Sequence, residues 1–527
     1  MKLPALFSDH MVLQQGHPAR VWGWALPQES VTVTIAGQTA QTVADDAGTW
    51  SVLLSPLTAG GPFELTVAGN ETVTFHDVLV GEVWICSGQS NMEMGIGVAQ
   101  DAEIEIANAD HPTIRLFTVP KGVEAEPQQD VDSRWLVCSP ENIKSGVWGG
   151  FSAAAYYFGR KLSEELNVPI GLVHSSWGGT VAEAWTSREA LLANDVTRDF
   201  VATLDEGLAN YEENIATYRT VLATWEDKYL PKDAGNAGLA RGWAANDTDT
   251  TDWSTMDLPR TWQSSGLTFS GVLWFRNELV VPDEWAGRDL ELHIGWCDKD
   301  DLTYFNGEQV GSLTHFDDPM SWCTPRVYTI PGKLVKAGRN LIAVRVCSHA
   351  YDGGMRGPIE EMYLAGPKNL GEERLSLVGN WRYAIEQNFG LVQPPATPPL
   401  PIGGDNPNSP TMLFNAMLVP LVNYTIRGAI WYQGESNSSR AEQYRTLFPV
   451  MIRDWRYQWG QGDFPFIFVQ LANYIVGNST EQNQWAWLRE AQLLALREPN
   501  TGMAVIADIG TPLDIHPTNK QEVGRRL

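Results

Sequence analysis

The feature that most constrains the fold is the run Val78-Leu-Val-Gly-Glu-Val-Trp-Ile-Cys86, which is apolar almost throughout and does not alternate. A strand with one wet face alternates polar and apolar residues, whereas one buried on both faces does not, so this run predicts a central strand of a parallel sheet covered on both sides. Ala153 to Leu166 has helical periodicity, and Ile170 to His174 is a second buried strand that ends at Ser175-Ser-Trp-Gly-Gly-Thr180. Strand, helix, strand in that order predicts an α/β layered sheet with helices on both faces. The same texture resumes after the proline-rich stretch Pro394 to Pro401, with Gly428 to Tyr432 and Met503 to Asp508 as strands and Ala441 to Trp455 and Trp485 to Arg497 as helices.

Two other stretches read as β only. Residues 1–78 carry short strands (Val21 to Trp24, Val31 to Ile35, Gly48 to Leu54) separated by turn residues, which suits a small β-sandwich. From residue 239 to 370, Val272 to Val281, Leu290 to Ile294, Leu302 to Gly307 and Asn340 to Val346 are strands, and Asn306-Gly307 is a hairpin signal. A jelly roll or similar sandwich fits. The expected organisation is a sandwich (1–78) and one α/β domain in two parts (79–238 and 371–527), interrupted by the β module 239–370.

Charge excludes some functions. Acidic residues outnumber basic ones 63 to 37, a formal charge of −26, and no basic run offsets this field, so nucleic acid is not an expected partner. No run of 18 apolar residues exists, so no membrane span is expected. The five cysteines are too scattered for a disulfide framework, although one bridge within 297–347 is compatible with their positions. The 22 tryptophans suit sugar stacking and core filling alike.

The chemistry sits at strand ends. In Trp84-Ile-Cys-Ser-Gly-Gln-Ser-Asn-Met92 the buried strand enters a glycine turn, and Ser90 stands where the next helix begins. A serine there is read as an N-cap or as a nucleophile with free N–H groups beside it. Met92 replaces the second glycine of a G-x-S-x-G elbow, which excludes the α/β-hydrolase pattern. His516, in Asp514-Ile-His-Pro517, is the candidate base, and Asp514 the candidate group to orient it. Trp431-Tyr-Gln-Gly-Glu-Ser-Asn437 follows another strand, so the Gln433 amide and an N–H of Gly178 or Gly179 are candidate oxyanion donors. Gln89, Asn91, Trp177, Glu435 and Asn437, from the same motifs, are the expected substrate contacts. No H-E-x-x-H or paired-histidine spacing and no P-loop or G-x-G-x-x-G after a strand occurs, so neither metal nor cofactor is expected for this chemistry. Glu435 with a distant carboxylate would suit glycoside hydrolysis, a weaker fit than Ser and His.

Taken together, Gly88-Gln-Ser-Asn-Met92, Trp177-Gly-Gly-Thr180, Trp431 to Asn437 and Asp514-Ile-His-Pro517 resemble the SGNH-hydrolase superfamily, and within it the sialate O-acetylesterase family and its carbohydrate acetylesterase relatives. The start Pro4 to Gln14 and the segment Val272 to Val346 extend the resemblance to the family's N-terminal β domain and its inserted galactose-binding-like module. The resemblance implies an SGNH-type three-layer α/β/α domain, an N-terminal β-sandwich and an inserted β jelly roll. It implies a serine esterase removing O-acetyl groups from carbohydrate, most readily O-acetylated sialic acid, through an acetyl-serine intermediate. Acetyl-xylan or other plant-glycan esterase activity, and a carbohydrate-binding protein on an inactive scaffold, are the alternatives. The superfamily spaces acid and histidine as D-x-x-H, whereas this chain has D-x-H, which leaves Asp514, Asp508, a backbone carbonyl or no group at all to orient His516. The resemblance points to a secreted or periplasmic protein. The start Met1 to Phe7 lacks the apolar core of a signal peptide, which leaves the cytoplasm open.

Overall fold

The structure is a computed structural model that describes residues 1–146, 148–318, 321–357, 359–368, 373–475, 479–512 and 514–527. The chain is a mixed α/β protein that divides into two compact units, Met1–Ile215 with Leu400–Leu527, and Ala216–Pro399.

In the first unit one strand of 17 residues, Thr72–Gly88, serves two environments. Its first half is partly exposed and pairs antiparallel with Gly60–Ala68, whereas Val78 to Gly88 is buried without interruption. That second half is the centre of a sheet in the order Thr501–Val505, Phe466–Gln470, Gly428–Tyr432, Thr72–Gly88, Ile170–Ser176, His111–Thr118, Leu136–Cys138. All of these pairs are parallel except the last. Neighbouring residues on the central strands feed two separate cores. Val83, Ile85, Ala429 and Trp431 pack with the helix Ala441–Trp459, while Trp84, Cys86, Ile430 and Tyr432 pack with Ala153–Leu166 and Lys520–Arg526. Burial on both faces is why these strands show no polar alternation.

The helix Ala153–Leu166 starts where Ser152 accepts a hydrogen bond from the Ala155 N–H, and ends at Asn167 in the left-handed region (φ 51°). The helix Lys520–Arg526 lies so close to it that a Cβ on Gly524 would stand 2.5 Å from the Phe158 nitrogen. Glycine at 524 therefore permits the contact that anchors the segment just after His516.

Among the described residues the second unit holds two antiparallel sheets of six strands each, around a core that includes Trp262, Phe275, Leu292, Val344 and Trp381. Asn306 (φ 49°) and Gly307 (φ 90°) make the expected tight turn between Asp300–Phe305 and Glu308–Leu313. The strand Gly379–Gly390 pairs with Ser270–Val281 in this unit. Residues up to 399 thus cluster with the β module, where the sequence division had ended it at 370. Only one residue in that strand, Trp381, is fully buried, so it lacks an apolar run to mark it.

Cys86, Cys138, Cys297 and Cys347 are free and buried, so the 297–347 bridge is not formed; the side chain of Cys323 lies outside the described residues. Nine tryptophans, Trp50, Trp135, Trp185, Trp262, Trp274, Trp285, Trp381, Trp431 and Trp455, are among the largest fully buried side chains, so much of the tryptophan content is core. Among the described residues no helix is long and apolar enough to cross a membrane.

Candidate active site

The central strand ends at Gly88, where φ is +146° and an added Cβ would lie 2.1 Å from the Tyr432 carbonyl oxygen. Only glycine allows the two parallel strands to approach this closely while the chain turns. The turn leads into the short helix Ser90–Glu93, whose N-cap position is taken by Gln89. Ser90 is therefore inside the helix, and its hydroxyl is not a cap. Its Oγ lies 2.9 Å from His516 Nε2. Among the described residues the Ser90 N–H has no acceptor. A Cβ built on Gly178 would stand 3.2 Å from Ser90 Cβ, so the Trp177-Gly-Gly-Thr180 turn lies directly against the serine.

His516 is held from two sides. The Trp148 ring meets the imidazole edge to face at 4.9 Å between centroids. The carbonyl of the preceding residue, Ile515, accepts a 2.9 Å hydrogen bond from Asn91 Nδ2. Burial lowers the imidazole's affinity for a proton, the nearby Lys520 ammonium lowers it further, and Asp514 opposes both. The resting ring is thus a neutral base at neutral pH.

Asp514 does not make a ring hydrogen bond. Its Oδ1 accepts from the His516 backbone N–H at 2.8 Å and stands 3.7 Å from Nδ1, and its side chain is 54% exposed. A carboxylate two residues away folds back onto the backbone, whereas one three residues away can reach the ring. Asp508, the other acid considered, is engaged with Arg526, Oδ2 accepting at 2.7 Å.

Of the proposed oxyanion donors, the Gly178 N–H is donated to Glu93 Oε2 at 2.5 Å. Gly179 (φ +75°) faces open space, and its N–H has no acceptor among the described residues. Gln433 is fully buried and both its amide hydrogens are used, on the Thr180 carbonyl (3.2 Å) and on Asn437 Oδ1 (2.6 Å). In this arrangement it has none left for an oxyanion.

The expected substrate contacts divide in the same way. Gln89, Asn91, Glu435 and Asn437 are all buried. Gln89 Oε1 accepts the N–H groups of Gly434 (3.3 Å) and Ser436 (3.2 Å). Asn437 Nδ2 donates to Glu183 Oε2 at 2.9 Å. Asn91 Nδ2 also donates to Glu435 Oε1 at 2.7 Å, and its Oδ1 accepts from Lys520 Nζ at 2.6 Å. These polar groups pair with one another and fix the loops around Ser90, except that Glu435 Oε2 has no hydrogen-bond partner among the described residues. Trp177 alone of the five is partly exposed, with Lys121 Nζ 5.2 Å from its ring centroid.

Three participants were not singled out in the sequence. Glu93 binds both Gly178 and Lys121 (2.7 Å); its position between Met92 and Met94 was the available signal. Lys520 is fully buried, and burial brings its ammonium down to about 7 although Glu435 and Asp514 support the charge. The same burial pushes the Glu435 carboxyl up. Nothing in Asn519-Lys-Gln-Glu522 distinguishes Lys520 from a solvated lysine. Trp148 gave no signal either.

A serine hydroxyl 2.9 Å from an accessible imidazole, at the C-terminal end of a parallel sheet, is a geometry suited to nucleophilic attack on an ester. Residues 80–216 and 410–527 match the family described as carbohydrate esterase, sialic acid-specific acetylesterase, and the match breaks where the second unit intervenes. The whole chain is 27% identical to the sialate O-acetylesterase of Mus musculus, covering 72% of it. A part amounting to 37% of the chain is 38% identical to the Homo sapiens sialate O-acetylesterase, over 41% of that protein. The crystal structure of a carbohydrate acetylesterase from Xanthomonas citri superposes with a TM-score of 0.57 at 25% identity, over 99% of this chain and 72% of that one. The chain is a relative of the sialate O-acetylesterases and a carboxylic-ester hydrolase.

Proposed function

We propose that the chain removes O-acetyl groups from carbohydrate through an acetyl-Ser90 intermediate, with O-acetylated sialic acid as the substrate class. The observation that carries this reading is the 2.9 Å contact between Ser90 Oγ and His516 Nε2. His516 takes the hydroxyl proton as Ser90 attacks the acetyl carbonyl, and returns it to the leaving sugar oxygen. Water then attacks the acetyl-enzyme with His516 again as base. The N–H groups of Ser90 and Gly179 are the donors for the tetrahedral oxyanion, each contributing on the order of 10²-fold. Asp514 shapes the loop through the His516 N–H rather than holding the ring. This sequence of steps uses only the chain's own residues.

The sialic acid reading rests on the names of the mouse and human relatives and on Lys121, a cation over Trp177 beside the Ser90 turn, suited to a sugar carboxylate. One observation favours a second reading, an esterase of neutral plant glycans. Lys121 is already paired with Glu93 at 2.7 Å, which leaves Trp177 as a stacking surface for an uncharged ring. Comparing kcat/KM on O-acetylated sialic acid and on acetylated xylan, for wild type and Lys121→Met, separates them. The first reading expects Lys121→Met to lose about tenfold on sialic acid alone, which corresponds to one partly exposed charge contact. Equal change on both substrates contradicts it. No hydrolysis of either, with acetylated sugar still bound, supports a carbohydrate-binding protein on an inactive scaffold.

A further inference from the structure

In the unit 216–399, three side chains far apart in sequence aim their ligand atoms at one point. Asp300 opens the strand Asp300–Phe305, His315 lies just past Glu308–Leu313, and His349 follows the strand Gly338–Ser348. Their ligand atoms all lie within 4.8 Å of one another, and all three side chains are largely buried. We propose that Asp300, His315 and His349 form a binding site for a divalent cation of the zinc class, separate in chemistry from ester hydrolysis.

The distances fit. Nitrogen and oxygen ligands about 2.0 to 2.2 Å from a tetrahedral zinc stand about 3.3 to 3.5 Å from each other. Asp300 lies 2.9 Å from His315 Nδ1, and its Oδ2 lies 3.2 Å from His349 Nε2. The tautomer fits as well. His349 Nδ1 lies 3.1 Å from the Pro231 carbonyl oxygen, which only accepts, so Nδ1 carries its hydrogen. Such a backbone partner is the usual orienting contact of a metal-bound imidazole. The lone pair of Nε2 then faces the Asp300 carboxylate, an arrangement that repels unless a proton or a cation sits between them.

Charge balance permits either occupant. One carboxylate with two imidazolium ions carries the same net charge as one carboxylate, two neutral imidazoles and a divalent cation. Among the described residues no lysine or arginine pairs with Asp300. Arg326 is bound to the adjacent Asp301 at 2.6 Å, and Lys299 Nζ donates to the Ala350 carbonyl at 2.6 Å. A further soft donor, Cys347 Sγ, lies 3.6 Å from His349 Nε2, and Cys347 is the cross-strand partner of Asp300. A cation here would tie the loop at His315 to the ends of two strands.

The test is titration of the chelator-treated full chain with zinc chloride, followed by competition against a chromogenic chelator, and with cobalt(II) followed by its visible absorption. The expected result is one tight equivalent with tetrahedral cobalt bands. It weakens by about 100-fold or more in His315→Ala and His349→Ala, because each removes a direct ligand. It persists in His293→Ala and in His516→Ala, which removes the active-site imidazole. Absence of a tight equivalent in the wild type overturns the proposal and leaves an ion-paired triad. Binding unchanged in both ligand variants overturns it too. If either variant fails to fold by circular dichroism, His315→Asn and the wild-type cobalt spectrum decide instead, octahedral or absent bands counting against the site.

Discussion

Among the described residues the first unit contains two serine–histidine pairs near the ends of neighbouring parallel strands, and they are built oppositely. Ser90 and His516 meet at 2.9 Å with the histidine side chain 28% exposed. Ser176 and His174 meet more closely, at 2.6 Å, but both are buried within the strand Ile170–Ser176. Burial, aided by Lys121, brings the His174 imidazole down to about 3, and its Nδ1 has no hydrogen-bond partner among the described residues. The second pair has the shorter contact and none of the other requirements. No ester can reach it, and an imidazolium there has neither water nor an acceptor to support it. A serine–histidine distance alone therefore does not make a nucleophile. Exposure and a place for the proton decide.

The largest effect that follows is loss of activity in the exposed pair. Hydrolysis of a chromogenic acetyl ester should fall by about 10⁴-fold or more in Ser90→Ala and in His516→Ala, and the double variant should be no worse than either single one, because the two act as a unit. Ser176→Ala should stay within a few-fold of wild type. A reversed ranking breaks the comparison.

Next in size is the buried support of His516. Asn91→Ala removes the bond to the Ile515 carbonyl and leaves Lys520 without its oxygen partner. A loss in kcat of about 10 to 100-fold is expected, read from the kcat and KM split, since misplacement of a base costs turnover rather than binding.

Lys520→Met adds a pH signature. The positive charge of Lys520 lowers the proton affinity of His516, so the acid limb of kcat/KM lies below the usual histidine value of about 6.5. Without that charge His516 protonates more readily, and the limb should move to higher pH by a few tenths of a unit to about one unit. A limb that stays in place would mean that Lys520 acts only as packing.

The smallest effect belongs to Asp514. Its exposed carboxylate is 3.7 Å from the ring nitrogen, so Asp514→Ala should cost less than about tenfold in kcat/KM. Loss on the scale of a triad aspartate, about 10⁴-fold, would mean that the carboxylate closes on the ring when substrate binds.

The sequence made legible whatever burial dictates directly. The strand Gly428–Tyr432 and the helix Ala153–Leu166 have the expected bounds, because an apolar run and a capped helix leave little freedom. Gly379–Gly390 was assigned to the other domain, since a half-exposed strand carries no such run. In the site, Ser90 stands out because its motif directly follows a buried strand, and His516 because its motif follows the last strand of the sheet. The roles of Gln433, Glu435, Asn91 and Asn437 were not legible, because a polar residue in a motif reads the same whether it faces a ligand or another buried side chain. Lys520 was invisible because its burial comes from the packing of Lys520–Arg526 on Ala153–Leu166, a tertiary fact.

The measurement that tests the central claim most directly is labelling with a serine-reactive phosphonate, followed by intact mass and peptide mapping. One adduct per chain is expected, on Ser90, absent in Ser90→Ala and strongly slowed in His516→Ala. A label on Ser176, or an undiminished label in Ser90→Ala, would contradict the assignment of Ser90 as the nucleophile.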